Sequence, residues 1–429
     1  MIIPSIDLQR GQAVQLVGGR ELEIEAGDPR PIAKQFRQAG EIAVIDLDAA
    51  MSEGSNEPLI RELLRIAPCR VGGGIRSVER AIEWLDAGAQ QVILGTAATP
   101  EILRELPRDR VIAAIDAVHG EVVVEGWKER TGRNLLEQIH ALRGYVGGFL
   151  VTFVEREGRM GGVDLDAIRA VIEAAGEVRV TIAGGVTTPE DVAAIDRLGA
   201  DAQVGMALYS GRMHLADAIT APLKSDRSDG LWPTVVTDEH GVALGLAYSN
   251  TESVRAAVEQ QRGVYWSRSR GLWEKGASSG DTQALIRIDL DCDRDALRFT
   301  VSQAGDGFCH EKTYTCWGAD AGLGRLARTL ERRRLAAPAG SYTRRLFDDP
   351  SLLAAKLREE AEELNQATTP NEVAHEAADV IYFALTSALR AGVSLADIER
   401  ELDRRALRVT RRRGDAKQGS RETQGGASA

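Results

Sequence analysis

Short apolar runs alternate with amphipathic stretches across the first half of the chain. MIIPSID, EIAVIDLD, CRVGGG, QQVILG, VIAAID, GFLVTFV, VRVTIAGG and DAQVGM read as eight strands. They are near-continuous in apolar residues, as strands covered on both faces are. The segments between them, such as SVERAIEWLDAG and TPEDVAAIDRLGA, carry helical periodicity. Both open on Ser or Thr and close near Gly, the residues that helix ends favour. This alternation predicts a (β/α)8 TIM barrel over residues 1–222. The pattern changes after 221–230 (APLKSDRSDG), which reads as a linker. Residues 231–318 are β-rich, with VTDEHGVALGLAYSN as a hairpin, and predict an α+β domain. Residues 322–411 return to helical periodicity and predict an all-α domain. Residues 412–429, polar and Gly/Ser-rich, are expected to form a disordered tail.

Composition narrows the function classes. A 43% hydrophobic and 27% charged content fits several soluble domains. The net charge of −11 speaks against a nucleic-acid partner. No uninterrupted apolar run approaches the ~18 residues of a membrane span, so none is expected. MIIPSIDL has no basic region or cleavage site and reads as a buried strand, not a leader. Four cysteines are too few for a disulfide framework, and a reducing, bacterial-type cytoplasm is the expected location.

The first domain repeats itself. Asp7 ends the first strand and Asp116 the fifth, an offset of 109. Gly73-Gly74 in VGGGIRS matches Gly184-Gly185 in IAGGVTT at an offset of 111, and Gly95 matches Gly205 at 110. Each half-barrel thus carries one acid and two Gly-rich strand ends, the mark of a duplicated barrel. Barrel active sites lie at strand C-termini, and Gly-rich loops entering helices offer N–H groups to phosphate. Two such sets on opposite sides suggest a substrate with a phosphate at each end, handled by Asp7 and Asp116 as an acid–base pair.

The later domains carry metal chemistry. Cys292, Cys309 and Cys316 lie within 25 residues. Three thiolates satisfy zinc and leave its fourth position open to water. Asp291, Asp293 and Asp295 surround Cys292; on a strand, alternating carboxylates share a face and suit Mg²⁺. A soft site beside a hard one, behind the Arg/Ser-rich YWSRSR loop, suggests metal-assisted hydrolysis of a phosphorylated substrate. Cys69, on a barrel strand, should be an inert buried hydrophobe. In the helical domain, Glu359, Glu360 and Glu363 share one helix face, as do Glu376 and Asp379. Such faces are commonly just solvated. Here Ala377, Ala378, Val380 and Ile381 interleave the second set, so Asp379 should turn toward the core. Carboxylates packed this closely repel unless a cation such as Mg²⁺ joins them.

Resemblance to known families sharpens each reading. IPSIDL, GGGIRS, AAIDA, VEGW and AGGVTTPED over about residues 1–220 resemble the phosphoribosylformimino-aminoimidazole-carboxamide ribotide isomerase of histidine biosynthesis. The resemblance implies an Amadori rearrangement with Asp7 as general base and Asp116 as general acid. Thr152 matches the family's catalytic-site threonine, and Trp127 would stack on the substrate's imidazole or make an ordinary hydrophobic contact. Gly73, Gly74, Arg76, Gly95, Thr96, Gly184, Gly185 and Gly205 would hold phosphate. The family's Asp-Gly-Thr after that threonine is Glu157-Gly158-Arg159 here.

LGLAYSN, YWSRSR, LWEKG, SSG, DCDRD and CHEKTYTC over residues 231–318 resemble phosphoribosyl-AMP cyclohydrolase, which opens an adenine ring with zinc-activated water. There His310 would carry protons, Arg268 and Ser269 would hold phosphate, and a homodimer with a shared site is implied. This chain departs from the family at Ala277 and Asp281. SYT, LF, K-x-x-EEAEEL and EAAD over residues 322–411 resemble phosphoribosyl-ATP pyrophosphohydrolase, an all-α pyrophosphatase fold whose acids bind Mg²⁺. Arg345 and Lys356 are candidate phosphate contacts. Together the resemblances imply three consecutive steps on small phosphoribosyl nucleotides, with Zn²⁺ and Mg²⁺ as cofactors. Two alternatives stay open: a silent barrel serving as a structural or binding module beside a bifunctional hydrolase, and a metal-dependent nucleotide-binding regulator.

Overall fold

The computed structural model describes residues 1–410 apart from 19–20, 125, 128, 160, 319 and 339; the tail expected at 412–429 lies outside the described residues. The first half forms strands β1 (Ile2–Gln9), β2 (Gln12–Val17), β3 (Glu21–Gly27), β4 (Ile42–Asp46), β5 (Cys69–Gly72), β6 (Gln91–Leu94), β7 (Val111–Val118), β8 (Glu121–Val124), β9 (Glu129–Asn134), β10 (Gly148–Phe153), β11 (Arg179–Ala183) and β12 (Asp201–Val204). Eight of these are parallel, in the order β10-β11-β12-β1-β4-β5-β6-β7, and a β10–β7 pairing closes the barrel. The other four are hairpin extensions: β2–β3 prolongs β1, and β8–β9 prolongs β7. The internal repeat therefore reaches beyond the barrel strands, since each half opens on a strand extended by a hairpin.

Helix ends follow the sequence signals. Ser77 caps Val78–Ala87 by accepting from the Arg80 N–H, and Gly88 ends that helix in a left-handed conformation. Thr188 and Asp191 form a capping box on Pro189–Arg197. Arg70, almost wholly buried, spans the barrel floor to the Thr181 hydroxyl (2.8 Å) and pairs with Glu41 (2.7 Å).

The second domain holds a four-stranded sheet in the order β14-β13-β18-β17, from β13 (Trp232–Asp238), β14 (Ala243–Ser249), β17 (Gln283–Leu290) and β18 (Leu297–Gln303). Between β14 and β17 lie helix Thr251–Gln260 and the hairpin β15 (Val264–Ser267) and β16 (Gly271–Glu274). β13 and β14 are the hairpin expected from VTDEHGVALGLAYSN. The third domain is all helical: Gly322–Ala336, Tyr342–Asp348, Pro350–Gln366, Pro370–Arg390 and Leu395–Ala406, packed around Leu330, Phe347, Leu385 and Leu389. No single helix among the described residues is long and apolar enough to cross a membrane.

Both later domains attach at the N-terminal end of the barrel. Arg294 pairs with Asp196 (3.0 Å), just before β12, and Gln38, just before β4, donates to the Val258 carbonyl (3.4 Å). The chain beyond the last helix returns to the same end: Arg110 donates to the Leu407 carbonyl (3.0 Å) and Asp86 accepts from the Val409 N–H (2.8 Å). The opposite end, where barrel active sites lie, stays clear of these attachments.

Candidate active sites

Asp116 and Thr152 are register partners on adjacent parallel strands, so their side chains project to the same side of the sheet. Asp116 accepts hydrogen bonds from Thr152 and from the Trp127 side chain. Trp127 therefore bonds to a predicted catalytic acid; its residue sits in a left-handed backbone conformation (φ 66°) beside β8. Asp7, at the end of β1, accepts from the Ser5 hydroxyl at 2.9 Å. Burial pushes Asp7 up to about 6 against the Ser5 bond, and pushes Asp116 upward against Thr152 and Trp127.

Glu157, in the turn after β10, completes the group. Burial and then the charges of Asp7 and Asp116 raise it to about 7, so Glu157 feels both aspartates. The sequence marked Glu157 as a departure whose longer carboxylate could keep the role of the family's aspartate; its place within reach of both aspartates depends on the path of that turn. Tyr209 was missed altogether. Its buried hydroxyl has no hydrogen-bond partner among the described residues, and after burial the Asp7 charge is what raises it. Arg159 is exposed.

Close backbone approach explains the paired glycines. A Cβ on Gly73 would lie 2.2 Å from the Asp46 carbonyl, and on Gly184 2.5 Å from the Phe153 carbonyl; both have left-handed φ. Gly74 and Gly185 are equally crowded, at 2.6 and 2.5 Å. Gly184, Gly185 and Gly205 line one crevice with Glu157. Gly95 and Thr96 lie exposed past β6. The Arg76 guanidinium donates to the Ala49 and Ala50 carbonyls (3.2 and 2.7 Å), so it braces the short helix Leu47–Met51 that follows β4.

In the second domain Cys309 and Cys316 meet. N–H and hydroxyl donors from Glu311 and Thr313 lower the Cys309 thiol, while burial and the neighbouring Cys309 raise Cys316. Two soft donors held this closely suit zinc. The three sulfurs do not all lie within 4.8 Å of one another; Cys292 is exposed on a different loop. His310 Nδ1 stands 3.9 Å from Cys309 Sγ. Arg268 lies over the Tyr248 ring (4.6 Å), and Ser269 is exposed in the β15–β16 turn. Lys275, missed in the sequence, is buried and donates to the Asp281 and Gly307 carbonyls (3.0 and 3.3 Å), tying two loops beneath the thiols. Asp281 accepts from the Asp306 N–H (2.9 Å), a structural role for that departure.

The aspartate trio needs correction in its premise. Asp291, Asp293 and Asp295 lie in the turn between β17 and β18, not on a strand. They converge, with oxygens within 4.8 Å of one another, because Arg294 takes a left-handed conformation and Asp291 accepts the Asp295 and Ala296 N–H groups (3.0 and 3.2 Å). Alternation had the right members and the wrong element.

In the helical domain, oxygens of Glu360, Glu363 and Glu376 come within 4.8 Å of one another across two helices. Burial and then the charges of Glu360 and Glu376 raise Glu363, the repulsion a divalent cation would relieve. Lys356 pairs with Glu359 and Glu360 (2.8 Å each), so its ammonium is engaged by the acids. Asp379 does not turn to the core: it is 41% exposed and faces His375 at 3.6 Å, while Phe383, Leu385, Thr386 and Leu389 occupy the buried face of that helix. The apolar neighbours do not mark a core side, because Ala378 and Ile381 are themselves exposed and Ala377 and Val380 only part-buried. Arg345 is exposed on Tyr342–Asp348.

Three family models match in succession: histidine biosynthesis protein over residues 1–214, phosphoribosyl-AMP cyclohydrolase over 245–318, and phosphoribosyl-ATP pyrophosphohydrolase over 323–406. A histidine biosynthesis trifunctional protein of Neurospora crassa is 51% identical over 256 residues, covering 60% of this chain and 27% of the relative. A histidine biosynthesis bifunctional protein of Schizosaccharomyces pombe is 55% identical over 206 residues, 48% of this chain and 49% of the relative. A 1-(5-phosphoribosyl)-5-((5-phosphoribosylamino)methylideneamino)imidazole-4-carboxamide isomerase of Methanocaldococcus jannaschii is 35% identical over 232 residues, 51% of this chain and 98% of the relative. The chain thus spans 27% and 49% of the lengths of the first two relatives.

Proposed function

The chain belongs to the histidine biosynthesis protein family, and on that premise we propose that it is a multifunctional enzyme acting on phosphoribosyl nucleotides. The helical domain hydrolyses phosphoribosyl-ATP to phosphoribosyl-AMP and pyrophosphate. The middle domain opens the adenine ring. The barrel isomerises the resulting aminoaldose to the aminoketose. The observation that carries the barrel's part is the convergence of Asp7, Asp116 and Glu157, with Thr152 and Trp127 on Asp116.

Near neutral pH the charges of Asp7 and Asp116 disfavour a further charge on Glu157. Asp7, at about 6, is then ionised and serves as base toward the substrate's C2 proton. Asp116 serves as the acid that protonates the ribose ring oxygen, and Glu157, at about 7, holds a further proton beside them. The crowded glycine pairs present backbone N–H groups to the terminal phosphates.

In the middle domain Cys309 and Cys316 hold zinc, with Cys292 supplied by a second copy in a homodimer. The separation of Cys292 from the pair supports that arrangement. Zinc so held would supply Lewis acidity toward water, and His310 would carry the proton. In the helical domain Glu360, Glu363 and Glu376 hold Mg²⁺, which would neutralise phosphate oxygens. A reducing cytoplasm fits four free thiols.

Incubating the purified chain with phosphoribosyl-ATP, Mg²⁺ and Zn²⁺ and identifying products tests the whole. The aminoketose is expected. Accumulation of the aminoaldose with both hydrolyses running would mean a silent barrel.

A further inference from the structure

We propose that Arg328, contributed by the helical domain, is a positioning residue for the thiol pair of the middle domain. Ring opening then depends on a side chain of the neighbouring hydrolase. The inference rests on the cyclohydrolase reading above.

Asp238, the last residue of β13, is fully buried. Its Oδ1 accepts the His240 and Val242 N–H groups (3.0 and 2.8 Å). Its Oδ2 accepts the Tyr314 hydroxyl (2.8 Å) and Arg328 Nη1 (3.2 Å). The same guanidinium lies over the Tyr314 ring, 3.6 Å from its centre, and also pairs with Asp320. Tyr314 is thus held at its hydroxyl by Asp238 and across its face by Arg328.

Tyr314 sits inside the cysteine loop. Its carbonyl accepts the Phe308 N–H (3.1 Å), next to Cys309, and two residues on the Cys316 N–H donates to Leu244 (2.8 Å). Displacing the ring therefore disturbs the backbone at both thiols. The close approach is built in: a Cβ on Gly324 would lie 3.4 Å from His240 Cδ2 and 3.2 Å from Arg328 Nη1. His240 Nδ1 meets Glu399 at 2.7 Å, a second tie between the two domains.

The test uses the full chain as wild type, Arg328→Met, Arg328→Lys and Arg328→Met/Asp238→Asn. Metal-free protein is loaded with Co²⁺, and thiolate-to-cobalt absorption is read beside ring-opening kcat and KM and pyrophosphate release. Arg328→Met should lower ring-opening kcat roughly 10–100-fold with little change in KM, shift the cobalt bands, and leave pyrophosphate release intact. Arg328→Lys, keeping charge without the planar stack, should recover only part and keeps the test decisive if Arg328→Met fails to fold. The double variant, which removes the buried charge as well, should stay impaired. Wild-type kcat and cobalt bands in Arg328→Met would overturn the proposal, as would full recovery in the double variant. A wild-type chain that neither opens the ring nor shows thiolate–cobalt bands would instead overturn the cyclohydrolase reading.

Discussion

The barrel and the middle domain assemble their sites by different means. In the barrel, Asp7 and Asp116 lie near the C-terminal ends of strands whose positions are fixed by the hydrogen-bond register of a closed sheet, and Thr152 lies directly beside Asp116. One chain suffices. In the middle domain the sulfurs sit on loops, Cys292 stands apart from the other two, and Lys275 and Arg328 brace the pair. A closed sheet places side chains without outside help; loops need ties from elsewhere and, on our reading, a second copy.

The sharpest way to break that contrast is subunit mixing. Cys292→Ser and Cys309→Ser should each abolish ring opening and lower bound zinc while pyrophosphate release continues. Co-expressed, the two variants should regain about a quarter of wild-type ring opening, because each mixed dimer carries one intact shared site. Mixing Asp7→Asn with Asp116→Asn should restore no isomerisation. Recovery in the second mixture, or none in the first, would erase the difference between the regions.

Singly, Asp7→Asn and Asp116→Asn should each lower isomerisation kcat by ~10²–10⁴-fold and leave both hydrolyses untouched. Loss below tenfold, measured by aminoketose formation, would remove that aspartate from the proton-transfer steps. A smaller effect concerns pH. Asp7 must be ionised, so isomerisation should fall as pH drops through about 6. Glu157 is protonated below about 7, so activity should also fall as pH rises past that value if its proton is used. Glu157→Gln cannot ionise and should flatten the alkaline limb while sparing the acid limb. An unchanged alkaline limb in that variant would make Glu157 a bystander.

The same contrast explains what could be read in the sequence. Barrel strands were legible because burial on both faces leaves near-continuous apolar runs, and the half-barrel repeat followed from Asp and Gly spacings. The extensions β2–β3 and β8–β9 were not, because ELEIEAG and ERTGRN are largely polar and cover little core. Among candidate site residues, Asp116 and Thr152, read from strand ends, lie side by side in the sheet register. Turn positions were read unevenly: Cys309 and Cys316 were singled out and meet in the structure, whereas the Asp291–Asp295 turn was taken for a strand and the burial of Lys275 comes from loops meeting in space. Asp379 failed differently, because small or apolar neighbours such as Ala378 and Ile381 can face solvent on a helix and do not say which face is inward.

The fourth cysteine offers the gentlest test. Cys69 begins β5, is fully buried, and its Sγ lies 3.2 Å from the Ala67 carbonyl; burial pushes its thiol upward and away from the reactive thiolate. A thiol reagent applied to metal-free native chain at neutral pH should modify Cys292 and Cys316 first, then Cys309, and leave Cys69 until denaturant is added. Cys69→Ala should alter none of the three activities and should cost only about 1 kcal/mol in urea unfolding, the loss of one buried sulfur and a small void. Modification of Cys69 at a rate near that of Cys316 would mean that the barrel opens at β5 on the labelling timescale. The closed sheet would then fail to hold its own strand in register.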